Sequence, residues 1–229
     1  MENGEKAKLT LVLEVLYVLV TLVVVFGEFQ KDSELLAYSK PFVIPVLSLV
    51  YILRTKRRNY LYLLALFFGW LANIFFIKQT GTAIFNGGMS YLLFWVVMTY
   101  IVLVNTKFPN VKLFTIAIIP FMFIFTYILQ LIYINIYGSV YLYFSNAVFM
   151  VFLGGYSLSA YFLHSDRVNT YLLIAVLLFT FIQFIISIDL YYLSFSLFRP
   201  IAFTIFAVAQ MILLRLMVLF DIQQIEVRQ

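Results

Sequence analysis

The chain has 229 residues, of which 65% are hydrophobic and 11% are charged, and its mean hydropathy is +1.04. A soluble domain carries about a quarter charged residues, so the composition excludes an ordinary water-soluble domain and predicts an all-α or barrel protein of the membrane. The formal net charge of +5 is interpreted as a topology signal in so apolar a chain, and we expect no nucleic-acid partner.

Continuous apolar runs of near 20 residues recur along the chain, and each can cross a hydrocarbon core about 30 Å thick as a helix. Runs that do not alternate exclude a barrel, so helices must satisfy the backbone in lipid. We predict an all-α integral membrane protein, a bundle of eight transmembrane helices in one domain spanning residues 1–229. The expected bounds are about 9–26, 41–53, 60–77, 83–104, 111–132, 137–163, 171–193 and 201–220.

In the first span, Glu14 should face protein or water rather than lipid. Pro41 is expected to open the second span, because its missing N–H costs nothing at a first helical position. In the sixth span, Gly155 and Ser159 lie four residues apart on one face, which indicates a helix-packing seam rather than a phosphate-binding loop. His164 follows in a polar connection and is expected to be solvated. With this single histidine and no cysteine, we predict no metal site and no cofactor.

Basic residues predict the orientation. An even number of spans puts both termini on one side, and that side receives most of the 15 Lys and Arg residues, whereas the other receives Lys31, Lys40, Lys78 and Arg199. The positive-inside rule then places both termini in the cytoplasm, with the chain in a bacterial inner membrane or its equivalent. The basic cluster from Arg54 to Arg58 is a topology determinant or a docking patch for anionic headgroups, at about 1 kcal/mol per residue.

Polar residues inside apolar spans are costly in lipid and therefore mark helix contacts or functional sites. Asp189 stands out because Arg199 and Lys40 are expected at the same end of the bundle. An ion pair between Asp189 and either cation would be structural if saturated. Beside a cavity, Asp189 becomes a candidate general acid or a site for a polar headgroup.

Short motifs follow one another in a distinctive order. They are Lys40-Pro41, then Gly69-Trp70-Leu71-Ala72-Asn73, then Phe85, Gly87, Tyr91, Leu92 and Trp95, and finally Phe184, Ser187 and Asp189 with Ala209-Gln210. With these motifs the chain resembles the YhhN family of polytopic membrane proteins, whose members include lysoplasmalogenases. The resemblance covers nearly the whole chain and implies an eight-helix layout and hydrolysis of the vinyl-ether bond of lysoplasmalogens.

The chain departs from the family pattern where that chemistry is expected. The family's third-helix aspartate is Asn73 here, the fourth-helix histidine position holds Trp95, and Ile188 stands where the later aspartate is expected, one residue before Asp189. A shift of one residue along a helix rotates the side chain by about 100° around the helix axis, so Asp189 need not point into the same cavity as the family's aspartate. An amide orders water but cannot shuttle a proton, and each lost acid or base role costs roughly 10² to 10⁴ in rate.

We therefore predict a non-hydrolytic member that binds a membrane lipid, such as a single-chain lysolipid, or docks to a membrane-protein partner. The candidate headgroup residues are Lys40, Asn73, Trp95, Gln183, Ser187, Asp189, Arg199 and Gln210. The alternative is an active lysoplasmalogenase-like hydrolase, in which Asp189 is catalytic with Glu14 as its partner and Asn73 occupies the degenerate position. The expected placement of Glu14 in the cytoplasmic half of its span and of Asp189 in the outer half of its own weighs against this pairing. Convergence of Asp189 and another carboxylate on a single water-accessible pocket would overturn the non-hydrolytic interpretation and put hydrolysis first. A transporter or subunit role is a third possibility.

Overall fold

The computed structural model describes residues 3–78, 80–136 and 140–226. These residues form eight α-helices: α1 (Asn3–Gln30), α2 (Ser33–Arg54), α3 (Tyr60–Phe75), α4 (Gly81–Asn105), α5 (Val111–Ile132), α6 (Val140–Leu163), α7 (Arg167–Tyr191) and α8 (Phe198–Glu226). The predicted all-helical fold and the helix number are therefore confirmed. Seven helices are long and apolar enough to cross a membrane. The exception is α3, whose 16 residues extend about 24 Å, less than a typical hydrocarbon core.

Capping side chains mark where several helices begin. Each accepts a hydrogen bond from a backbone N–H of the first helical turn, which otherwise has no partner within the helix. These caps are Asp32 for α2, Asn59 for α3, Thr80 for α4, Asn110 for α5 and Asp166 for α7. The connections around these caps are short, so consecutive helices run in opposite directions.

The expected start of the second helix at Pro41 is wrong, because α2 begins eight residues earlier, at Ser33 with Asp32 as its cap, and both Pro41 and Pro45 lie inside the helix. Pro45 has no N–H to donate to the carbonyl of Pro41, four residues before it. The indole Nε1 of Trp70 in α3 donates to this carbonyl at 2.8 Å. A neighbouring helix thus satisfies the backbone group that a proline frees.

Helices pack first with their neighbours in the chain, as the pairs α1–α2, α3–α4, α5–α6 and α7–α8, and α8 also contacts α1 and α2. Trp95 is at the centre of the core, with its ring edge-on to that of Phe179 at a centroid distance of 4.9 Å. Large apolar side chains of α1 and α5 remain exposed on the outside. Because so continuous an apolar surface is unfavourable in water, the fold suggests a multi-pass membrane protein.

Close packing of α5 on α6 depends on glycine. A Cβ atom added at Gly155 would lie 2.7 Å from Cγ1 and 3.1 Å from Cα of Ile118 in α5. At Gly69 in α3, the same atom would lie 3.6 Å from the ring of Phe94, which is an ordinary contact. The packing role predicted for Gly155 is therefore confirmed, and Ser159, one turn along, is fully buried.

We expect Gly155→Ala to lower the free energy of unfolding by about 1–3 kcal/mol, because the new methyl group meets the backbone of α5. Gly69→Ala is the matched control, and it should be neutral or slightly stabilising because alanine is the better helix former. Chemical denaturation in detergent, followed by circular dichroism, measures both. Equal stabilities of the two variants would contradict the close contact at Gly155.

Candidate functional site

A cavity of about 170 Å³ lies among seven of the eight helices. The end of the bundle where α1 begins and α8 ends is called the terminal end, and the opposite one the far end. Lining residues come from the later parts of α1, α3 and α7 and the earlier parts of α2, α4, α6 and α8, so the cavity is at the far end. An engineered protein cavity of about 150 Å³ holds benzene, so this one can take a few heavy atoms of a ligand.

The cavity wall is largely apolar, with side chains such as Phe76, Leu142 and Phe203. Its polar members are Glu28, Lys40, Asn73, Lys78, Tyr91, Tyr143, Asn146, Gln183, Ser187, Asp189, Tyr191 and Arg199. Lys78 is exposed, so the cavity reaches the surface of the bundle near this side chain. An apolar wall with a few convergent polar groups is typical of small-molecule sites.

The first of two ion pairs in the wall joins Lys40 of α2 to Glu28 of α1. Both residues are buried, with exposed fractions of 5% and 6%. The Lys40 ammonium also lies 5.6 Å from the centre of the Phe203 ring, a distance at which a cation and an aromatic face attract. The partner carboxylate and the ring together offset part of the cost of burying this ammonium.

The second ion pair joins Asp189 at the end of α7 to Arg199 at the start of α8. The guanidinium Nε donates to Oδ2 of Asp189 at 2.7 Å. The Asp189 side chain is 1% exposed and that of Arg199 is 21% exposed. The ion pair expected between Asp189 and a cation at this end is therefore formed, and Arg199 is the partner. This carboxylate is an acceptor of a charge-assisted hydrogen bond.

Two amides in the wall have hydrogen-bonding capacity to spare. Nδ2 of Asn73 is buried and has no partner among the described residues. Nδ2 of Asn146 donates to the carbonyls of Leu142 and Gly88, at 2.9 and 3.3 Å, while its Oδ1 has no such partner. Because buried polar atoms nearly always find a partner, these amides offer a donor and an acceptor to a polar group inside the cavity.

Six of the eight headgroup candidates named from the sequence line this cavity: Lys40, Asn73, Gln183, Ser187, Asp189 and Arg199. The other two, Trp95 and Gln210, are not among its lining residues. Trp95 lies one helical turn beyond Tyr91, within the aromatic core. Gln210 lies one turn beyond Phe206 and is fully buried. Both therefore lie deeper in the bundle, towards the terminal end.

The suggested pairing of Asp189 with Glu14 is wrong. Glu14 makes an ion pair with Arg54, the last residue of α2, at the terminal end, whereas Asp189 is at the far end. The carboxylate that does share the cavity with Asp189 is Glu28. Sequence reasoning missed it because the first span was ended at Phe26. The capping residue Asp32 was an available signal. A helix that begins at residue 33 directly follows α1 and runs back along it, so Lys40, near the start of α2, lies close to the last turns of α1.

No group of three or more His, Cys, Asp or Glu side chains is assembled as a metal site in the described part of the chain. Comparisons of the chain with protein-family models, with curated proteins and with solved structures find no match. The function is therefore inferred from the residues of the cavity and their contacts.

Proposed function

We propose that the chain is a multi-pass membrane protein of YhhN-like fold, with eight membrane-crossing helices and both termini in the cytoplasm, that binds the headgroup of a single-chain lipid without hydrolysing it. One observation carries the proposal: two ion pairs and two amides with unused hydrogen-bonding capacity line one cavity with a largely apolar wall. The exposed apolar faces and the bias of basic residues towards the terminal end support the membrane topology.

The charges of the cavity complement a zwitterionic headgroup. Glu28 and Asp189 attract an ammonium group, while Lys40, Arg199 and the exposed Lys78 attract a phosphate. A zwitterion can engage both ion pairs without leaving an uncompensated charge in the cavity. At about 170 Å³, the cavity is too small for a whole lipid, so the acyl chain would lie along the apolar outer surface of the bundle.

The ion pairs of the two cavity carboxylates support binding without hydrolysis. Protonation of a vinyl ether needs an acid that donates a proton. Glu28 and Asp189 are held by Lys40 and Arg199, and an ionised carboxylate only accepts hydrogen bonds. The amide of Asn73 donates a hydrogen bond but releases no proton at neutral pH.

A lysoplasmalogenase-like hydrolase is the second candidate, and one specific observation favours it. Glu28 and Asp189 line the same cavity, which supplies the two carboxylates that an acid and a base require. This is the convergence that was expected to put hydrolysis first. We keep binding first because both carboxylates are held in ion pairs. For catalysis, one ion pair would have to open so that its carboxylate could carry a proton, while the other carboxylate orders the attacking water.

Native mass spectrometry of the purified protein tests lipid binding. We expect retained lysolipid, and we expect Asn73→Leu to weaken its binding about 5- to 20-fold, because a hydrogen bond to a charged group contributes about 1.5–3 kcal/mol at most and part of the cavity persists. Gln210→Leu is the matched control, since it removes a buried amide outside the cavity and should leave lipid binding unchanged.

Equal loss of lipid in the Asn73 and Gln210 variants would contradict the proposed site. A protein that retains no lipid and co-purifies with another membrane protein would instead support the partner-docking role.

A further inference from the structure

A second cavity, of about 310 Å³, lies at the terminal end, between the α2–α3 turn and the last turns of α8. Its lining residues are Tyr51, Arg57, Arg58, Asn59, Tyr60, Leu61, Met217, Phe220 and Asp221. None of these residues lines the first cavity, and the proposed lipid site makes no use of them. Two arginines in one cavity indicate an anionic ligand.

Hydrogen bonds from the helices hold the backbone of this basic turn. Oδ2 of Asp221 accepts from the N–H groups of Lys56 and Arg57, at 3.1 and 3.4 Å. The hydroxyl oxygen of Tyr51 accepts from the N–H of Asn59 at 2.9 Å, and the Asn59 side chain caps α3. A turn fixed in this way pays little ordering entropy when it binds a ligand.

The basic side chains of the turn are available to such a ligand. Lys56, Arg57 and Arg58 are exposed, and none forms an ion pair with another described residue. The carboxylate of Asp221 also lines the cavity, but it is buried and is engaged by backbone N–H groups. The positive charge of the two arginines therefore exceeds the negative charge of the single acid.

The position of the turn along the bundle matches the depth of lipid headgroups. Because α3 is shorter than a hydrocarbon core by about 6 Å, a turn that flanks it can lie at the depth of the headgroups. The turn contacts α8 at Asp221, whereas α8 continues beyond this contact to Glu226. The turn is therefore not the outermost part of the bundle at this end. Tyr60, beside the arginines, is 76% exposed, as is common for aromatic residues at the membrane–water interface.

We propose that this cavity binds the phosphate of an anionic phospholipid, held by Arg57 and Arg58. A lipid is favoured over a free phosphate because exposed Tyr60 and Leu61 adjoin the arginines and give an acyl chain an apolar surface. The inference depends on membrane embedding but not on the proposed site at the far end.

Native mass spectrometry with phosphatidylglycerol and phosphatidylcholine of identical acyl chains tests the site. We expect preferential binding of phosphatidylglycerol, and a loss on the order of 20-fold in the variant Arg57→Gln/Arg58→Gln, because each cation near an anionic headgroup contributes a factor of about five. The control Lys107→Gln/Lys112→Gln removes two exposed charges at the same end, one from the α4–α5 turn and one from the first turn of α5, and should change binding less than twofold.

Equal losses in the two double variants would overturn the inference in favour of a general surface-charge effect. Competition by millimolar inorganic phosphate as effective as that by the lipid would overturn the choice of a lipid. Arg57→Lys/Arg58→Lys keeps the charge and should retain most of the preference for phosphatidylglycerol. Asn73→Leu should leave this preference unchanged, so the two sites can fail independently.

Discussion

Replacement of Glu28 by leucine should lower the free energy of unfolding by about 3–5 kcal/mol, because it leaves the buried ammonium of Lys40 without its carboxylate. Glu28 and Lys40 are 6% and 5% exposed, so the freed ammonium would have little access to water. Thermal or denaturant unfolding in detergent, followed by circular dichroism, measures the loss. The further change Lys40→Met should recover most of it, since an apolar pair of similar volume removes both charges.

Glu14→Leu is the matched control for the Glu28 prediction. It breaks the other ion pair between α1 and α2, whose side chains are 34% exposed for Arg54 and 21% for Glu14. The freed guanidinium can reach water at the terminal end, and we expect a loss of about 1 kcal/mol or less. If Glu14→Leu were as destabilising as Glu28→Leu, burial would not be the reason for the larger effect.

The second large effect concerns catalysis. We expect the purified protein to release no aldehyde from a lysoplasmalogen above the buffer rate, and Asp189→Asn to be indistinguishable from the unchanged chain. The reason is that both cavity carboxylates are held in ion pairs and Asn73 supplies no proton. Aldehyde release in detergent–lipid micelles, coupled to an aldehyde dehydrogenase, measures the rate.

The hydrolase candidate makes the opposite prediction. Turnover that falls roughly 10² to 10⁴-fold in Asp189→Asn, and again in Glu28→Gln, would assign acid and base roles to these carboxylates and overturn binding without hydrolysis. Tyr143→Phe is a suitable control, because it changes a lining residue without removing a carboxylate. Lipid retention measured on the same samples separates a lost binding site from a lost catalytic group.

Helix number followed from the apolar runs, but helix boundaries did not. Hydropathy detects the part of a helix that is apolar enough for lipid, and α1 and α2 both continue into polar sequence, to Gln30 and from Ser33. Pro41 does not start a helix, because Asp32 caps α2 before it, and Trp70 of α3 donates to the carbonyl that the missing N–H of Pro45 leaves free. Such compensation comes from another helix and leaves no local signal.

The register of α7 is a second case in which packing decided the outcome. Asp189 lies one residue beyond the position that the family pattern indicates, and the rotation of about 100° left open whether it faces the same cavity as the motif residue Asn73. In the structure Asp189 lines the cavity together with Asn73, as the headgroup candidates required, while Ile188 is not among the lining residues. The rotation of α7 against its neighbours, which sets this result, depends on side chains from several helices.

Composition and the apolar runs by themselves determined that the described part of the chain is helical, that it forms eight helices and which residues lie towards each end. These properties depend on the free energy of transferring each segment from water to lipid and on the reversal of chain direction after each helix. Both can be read from the sequence of the segment itself. The tertiary structure alone decided that Lys40 pairs with Glu28, that Arg199 pairs with Asp189 and that Trp95 belongs to the core. Ion-pair partners and cavity walls depend on helix rotation and neighbour choice, which arise from the packing of all the helices together.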